Sequence, residues 1–183
     1  MIDLNKNFYI LSGAPGAGKS TLIKVLRQNF RCVDEPAREI IFEQRAIQGD
    51  GTSDRNQELF VELLLSRSIS HYNTQIETGS PVFFDRGIPD IIAYADHFSL
   101  SLDKYKRASA CYRYNEKVFF LSPWKSIYKT DSERKITFEE TIEFSASLKT
   151  FYEEQGYSIV EVPLVSPEMR CQFILAKIQG EKD

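Results

Sequence analysis

The stretch Gly13-Ala14-Pro15-Gly16-Ala17-Gly18-Lys19-Ser20-Thr21 constrains this chain more than any other part of it. It matches the pattern G-x-x-x-x-G-K-[ST] in full. The apolar run Phe8–Ser12 precedes it, and a helical pattern from about Ser20 to Asn29 follows, with Leu22, Ile23, Val25 and Leu26 on one side. Each part has a physical reason. Glycines let the backbone curl until successive N–H groups face one anion. The following helix adds its positive N-terminal end. Lys19 would reach the β- and γ-phosphates of a nucleotide, and the Ser20 hydroxyl would take one position on Mg2+, which prefers oxygen ligands. A glycine-rich turn beside a surface lysine has the same letters, but not the strand before and the amphipathic helix after. Gly13, Ala14, Pro15, Gly16, Ala17, Gly18, Lys19, Ser20 and Thr21 are thus the expected nucleotide-binding segment. No N-K-x-D or T-K-x-D guanine-reading motif follows the loop, so ATP is expected rather than GTP.

The rest of the chain alternates short apolar runs with helical patterns, as an α/β fold with a mainly parallel sheet does. Strands are expected at 8–12, in RCVDEP ending at Pro36, in PVFFD, in KVFFLS and in YSIVEV. The runs PVFFD and KVFFLS are nearly all apolar, as strands covered on both faces should be. Asp54 with Gln57, and Thr137 with Glu140, read as capping boxes opening two long helices. Ser166 followed by Pro167 reads as the start of a last helix. Five strands with helices between them predict a three-layer α/β/α sandwich. With 183 residues and no repeat, the expectation is one domain over 1–183.

Composition narrows the function. A net charge of −3 gives no electrostatic footprint for nucleic acid, and none is expected as a partner. Cys32, Cys111 and Cys171 are far apart, and two histidines are too few for a histidine metal cluster, so neither a disulfide framework nor a zinc site is expected. No apolar run reaches the roughly 18 residues of a membrane span. The first residues lack a basic segment followed by a long apolar stretch, so a cytoplasmic location is expected.

Two acidic strand ends and one basic segment carry the remaining chemistry. Asp85 closes PVFFD, where open α/β sheets bind ligands, and would hold Mg2+ with Ser20. It could equally cap the next helix. Arg86 beside it offers a planar fork for phosphate or carboxylate. At VDEPAREI, Glu35 could accept a proton from an acceptor hydroxyl, or simply favour the start of the helix after Pro36. Asp34 has the same choice. Arg38 could bind an anionic acceptor or be solvated. The basic stretch after strand four, about 124–137, is the expected lid. Its Arg134, with Lys125, Lys129 and Lys135 nearby, would bring charge to a transferring phosphoryl group. Trp124 would stack on a base or pack.

These pieces occur in a recognisable order: GAPGAGKST, EPAREII, VFFDRGIPDIIAY, YRYNEKVFFLSPW, DSERKITFEE and GYSIVEVP. Together they resemble the AAA-like predicted ATPase family of phosphate-loop NTPases. That family is close to the nicotinamide-riboside kinase domain of NAD-biosynthesis regulators and to nucleoside kinases. Ser122 stands where the family pattern has a second proline. The resemblance implies a nucleoside-kinase-like fold with strand order 2-3-1-4-5, with ATP and Mg2+ at Gly13 to Thr21. It supports roles for Asp85, Arg86 and Arg134, and adds Arg113 and Asp90, which follows Pro89 and could instead only cap a helix. Arg113 would either point to the phosphates or pair with an acid.

The function expected from all this is a Mg2+-dependent kinase passing the γ-phosphate to a small hydroxyl acceptor, nucleoside-like. Lys19, Glu35, Asp85, Arg86 and Arg134 are its expected catalytic residues, and Gln57 and Phe60 its expected acceptor contacts. The alternative is a nucleotide-dependent switch or slow ATPase that acts through a protein partner.

Overall fold

A computed structural model describes residues 6–75, 80–128 and 136–180. Five strands form one sheet: β1 (Phe8–Gly13), β2 (Arg31–Val33), β3 (Val82–Asp85), β4 (Lys117–Leu121) and β5 (Ser158–Glu161). Its order is β2-β3-β1-β4-β5, and every neighbouring pair is parallel. The expected order is therefore the observed one. Parallel neighbours need crossovers, and among the described residues six helices lie between the strands while a seventh follows β5. These are α1 (Lys19–Leu26), α2 (Pro36–Ala46), α3 (Gln57–Asn73), α4 (Ile88–His97), α5 (Asp103–Cys111), α6 (Phe138–Glu154) and α7 (Pro167–Gln179).

Side chains alternate across the central strand and divide the core in two. Tyr9 and Leu11 point to one face, where they meet Leu22 and Leu26 of α1 and Ile174 and Ile178 of α7. Phe8 and Ile10 point to the other, against Tyr72 of α3 and Tyr114. Phe120 on that side packs with Leu148 of α6 and Ala93 of α4. Phe60, Val61 and Leu64 of α3 meet Ile91 and Ile92 of α4. The three-layer sandwich follows directly.

Helix ends agree with the sequence at two places and differ at two. Thr137 and Glu140 form the expected capping box, and Ser166 caps α7 by accepting from the Met169 N–H at 3.4 Å. The long α3, however, is capped by Asn56, whose side chain accepts from the Leu59 N–H at 3.0 Å. Asp54 belongs to the preceding turn, where the Asn56 N–H reaches the Thr52 carbonyl. α1 ends at Leu26, and Gln28 and Asn29 continue as tighter turns rather than helix.

All five strand ends with a C-terminus at the top of the sheet lead into the same region, so the phosphate loop, Glu35, Asp85, Trp124 and the start of α7 become neighbours. The tightest point is Gly13. It has φ +136°, and a Cβ there would run into the Leu121 backbone, 2.9 Å from its carbonyl carbon. Gly13→Ala should therefore destabilise by about 2–5 kcal/mol, from strained backbone and overpacking together. Urea unfolding measures this. A loss below about 1 kcal/mol would mean that β1 and β4 can separate cheaply.

Candidate functional site

The loop after β1 is preshaped for an anion. Gly16 and Gly18 take positive φ, 82° and 92°, and Gly18 is the N-cap of α1. Lys19 is buried, and its ammonium donates to the carbonyls of Gly13 at 2.8 Å and Ala14 at 2.9 Å. Its charge is thus answered by two carbonyls of the loop itself. Burial lowers its pKa to about 8, helped by the Arg86 charge and opposed by Asp85, Glu35 and Asp90. The Ser20 and Thr21 residues are exposed at the mouth.

Beside the loop lies a charged cluster organised by Arg86. This residue has φ +68°, a left-handed conformation that costs a non-glycine residue about 1–3 kcal/mol. The turn holds it there: its N–H continues the sheet by donating to the Leu11 carbonyl at 3.0 Å. The side chain then spans two acids. Its Nε donates to Glu35 at 2.8 Å and its Nη1 to Asp90 at 3.0 Å. Tyr94 lies one turn beyond Asp90 on α4. Its ring carries the guanidinium at 5.7 Å, and its hydroxyl donates to Glu35 at 3.4 Å. Burial pushes the Glu35 carboxyl up, but Arg86 and Lys19 more than reverse this and hold it below its ordinary value.

Asp90 anchors the cluster. It is 1% exposed and accepts from Ser12 Oγ at 2.7 Å, the Gly87 N–H at 2.9 Å, Arg86 and the Tyr152 hydroxyl. It does open α4, as a capping acid does, and at the same time fixes Arg86.

Asp85 is in the opposite situation. Its Oδ1 is buried with no hydrogen-bond partner among the described residues. Burial pushes its carboxyl up to about 6, against the pull of Lys19 and Arg86. An orphaned carboxylate oxygen near the loop fits a hard divalent cation, which Asp85 and the Ser20 hydroxyl would hold together. No group of three or more His, Cys, Asp or Glu among the described residues could hold a metal alone. Such a cation would complete its shell with phosphate oxygens and water. The same observation makes a stability prediction. A carboxyl whose pKa is raised on folding binds more protons folded than unfolded, so stability falls as pH rises from 3.8 to about 6. Asp85→Asn removes that penalty and should stabilise the ligand-free protein by about 2–3 kcal/mol above pH 6, with the gain vanishing toward pH 4. Thermal unfolding across that range checks it. An equal or lower Tm for the variant at pH 7 would contradict it.

A cavity of about 1000 Å3 joins the phosphate loop to Glu35, Arg86 and Tyr94. Lys19, Ser20 and Thr21 line it. One end is walled by Trp124, Ile127, Pro167 and Arg170. The other end holds Glu35 and Arg86 and is walled by Ala37 and Ile41 of α2, Tyr94 and Phe98 of α4, and Phe144 of α6. Tyr94 and Phe144 meet at 5.5 Å between ring centres.

Several expected residues find other places. Phe60 is buried in the core, and Gln57 is exposed; neither lines the cavity, because α4 stands between α3 and the site. Asp34 points outward to an exposed ion pair with Arg27 at 2.6 Å. Among the described residues Arg113 reaches neither phosphate loop nor acid. It donates to the Gln155 carbonyl at 2.8 Å and covers the Tyr157 ring at 4.0 Å. Arg38 faces the cavity from α2. Of the expected lid, 124–128 and 136–137 are described, while Arg134, Lys129 and Lys135 lie outside the described residues.

Tyr94, Phe144, Ser12 and Arg170 were not legible as site residues from motifs. Arg170 left one signal, a basic residue in the first turn of a helix, where the helix dipole opposes it.

Comparison with known proteins agrees with the fold. The model of an AAA domain family matches residues 8–170, and the chain belongs to that family. No curated protein sequence matches significantly. Among solved structures, deoxyadenosine kinase from M. mycoides with the products dCMP and dCDP superposes with a TM-score of 0.63 at 15% identity, covering 96% of this chain and 100% of that one. The NadR protein in complex with NR gives 0.71 at 17% identity over 96% of this chain, which spans only 52% of that chain. Thymidylate kinase from Ehrlichia chaffeensis gives 0.63 at 13%, covering 95% and 98%. At such identities the likeness concerns the fold.

Proposed function

We propose that this AAA-domain chain is a Mg2+-dependent ATP kinase that passes the γ-phosphoryl group to a hydroxyl of a small, nucleoside-like acceptor. The observation that carries this reading is the cavity that Lys19 and Ser20 share with the Glu35 carboxylate and the rings of Tyr94, Phe98 and Phe144. Apolar walls with a few convergent polar groups suit a flat organic molecule. Tyr94, Phe98 and Phe144 would pack on its ring, and Glu35 would take its hydroxyl. The same reading is supported by deoxyadenosine kinase and thymidylate kinase, which share this fold.

In the reaction the acceptor oxygen forms a bond to the γ-phosphorus as the bond to the β-phosphate oxygen breaks. The acceptor proton goes to Glu35, and ADP leaves. The lowered pKa of Glu35 makes it a weak base. That suits a loose transition state, in which the hydroxyl gives up its proton late and orientation counts for more than basicity. Arg86 and Tyr94 supply that orientation by fixing the carboxylate. Lys19 would leave the Gly13 and Ala14 carbonyls for the β- and γ-phosphates, and Arg134 would add charge on closure. When bound with the nucleotide, Mg2+ supplies charge neutralisation at the phosphates, with Ser20 and Asp85 as its protein ligands.

ADP release from MgATP, with and without a panel of nucleosides and nicotinamide riboside, tests the reading. It expects release to rise many-fold with one acceptor. Slow release indifferent to every compound would favour a nucleotide-dependent switch that works on a protein partner.

A further inference from the structure

The end of the cavity away from Glu35 contains a cation without a counter-charge. Arg170 is 3% exposed. Its Nε donates to the Pro163 carbonyl at 3.1 Å, and its Nη1 donates to the Ala17 carbonyl of the phosphate loop at 2.9 Å. Its Nη2 is buried with no hydrogen-bond partner among the described residues. No carboxylate among the described residues pairs with it. Its guanidinium lies 4.9 Å over the ring of Trp124. A Cβ placed on Gly18 would be 3.1 Å from Nη1, so the group presses against the last glycine of the loop.

Three costs coincide at this residue. A buried charge is expensive unless an opposite charge answers it. Arg170 also occupies the first turn of α7, and the α1 N-terminus is close by, so two helix dipoles oppose a cation there. Burial accordingly lowers its pKa. Packing alone does not demand this, because a methionine fills such a volume without charge. The three costs vanish when an anion sits beside the loop.

We propose that Arg170 binds a phosphate oxygen of the nucleotide through its unpartnered Nη2, completing from α7 the charge that Lys19 supplies from α1. The inference rests on nucleotide binding at the loop, as in the function proposed above. It separates two uses of the same guanidinium: pairing with the phosphate chain, or hydrogen bonding to the base.

Trp124 is the only tryptophan, and it lies under Arg170, so its emission reports this contact in the unaltered protein. Inorganic tripolyphosphate with Mg2+ should shift Trp124 emission, and adenosine alone should not. Calorimetry on Arg170→Met should then show ATP and tripolyphosphate both weakened by about 10- to 100-fold, the size of one hydrogen bond to a charged group. A loss confined to ATP would make Arg170 a base reader and overturn the proposal. So would unchanged affinities, or tripolyphosphate that binds the wild type with heat but no change in Trp124 emission. If the variant does not fold, the wild-type emission experiment decides alone. Failure of the wild type to bind MgATP at all would instead sink the nucleotide reading itself.

Discussion

Glu35→Gln should lower phosphoryl transfer by about 10^2- to 10^4-fold while leaving MgATP affinity nearly unchanged. The amide keeps the size of the side chain and an oxygen that can still accept from Arg86 Nε and the Tyr94 hydroxyl. What it loses is the ability to take a proton. Because Asp90 still holds Arg86, the cluster should survive the change. The two readouts must be measured together. Loss of transfer with ATP binding kept places Glu35 at the acceptor. Loss of both would mean that the Glu35–Arg86 pair shapes the nucleotide end. Unchanged transfer would remove Glu35 from the reaction and with it the main argument for a hydroxyl acceptor.

Asp90→Ala should be the most destabilising single change in the site. It removes the acceptor for Ser12, Gly87, Arg86 and Tyr152 at once, in a position that is 1% exposed. Breaking a buried ion pair from one side typically costs about 3–5 kcal/mol, because the remaining charge stays buried. Arg86 keeps Glu35, which offsets part of this, while the orphaned hydroxyls add to it. A Tm lower by about 10–15 °C follows for a chain of this length. Asp90→Asn keeps an acceptor and should lose markedly less. The alanine variant should also lose transfer, since Arg86 no longer has a fixed partner on α4 to aim it at Glu35. A Tm within about 2 °C of wild type would mean that Asp90 is dispensable to the fold.

Much of the frame was legible because its signals are local. The phosphate loop, the all-apolar runs at Val82–Phe84 and Val118–Leu121, and the caps at Thr137 and Ser166 each depend on neighbours within one turn or one strand. The strand order needed the family resemblance, since no local pattern says that β1 lies between β3 and β4. The acceptor end was misplaced for the same reason. Its wall comes from α2, α4 and α6, three helices far apart in sequence, whereas α3 with Gln57 and Phe60 only looks adjacent to Glu35 along the chain. α5 escaped the reading because its sequence, DKYKRASAC, is mostly polar and buries only Tyr105 and Ser109. Asp85 and Glu35 could be located from sequence as acids at strand ends. Their difference could not: one is an orphan with a raised pKa, the other is held down by Arg86. That contrast arises from which acid Arg86 reaches, and its left-handed backbone decides that.

The most direct test is where the γ-phosphoryl group goes. 31P NMR of the protein with MgATP and a mixture of nucleosides and related small alcohols follows it. The account predicts a new phosphate-ester resonance that grows in step with ADP and is absent with Glu35→Gln. Inorganic phosphate as the sole phosphorus product beside ADP, at a rate no acceptor changes, would contradict it.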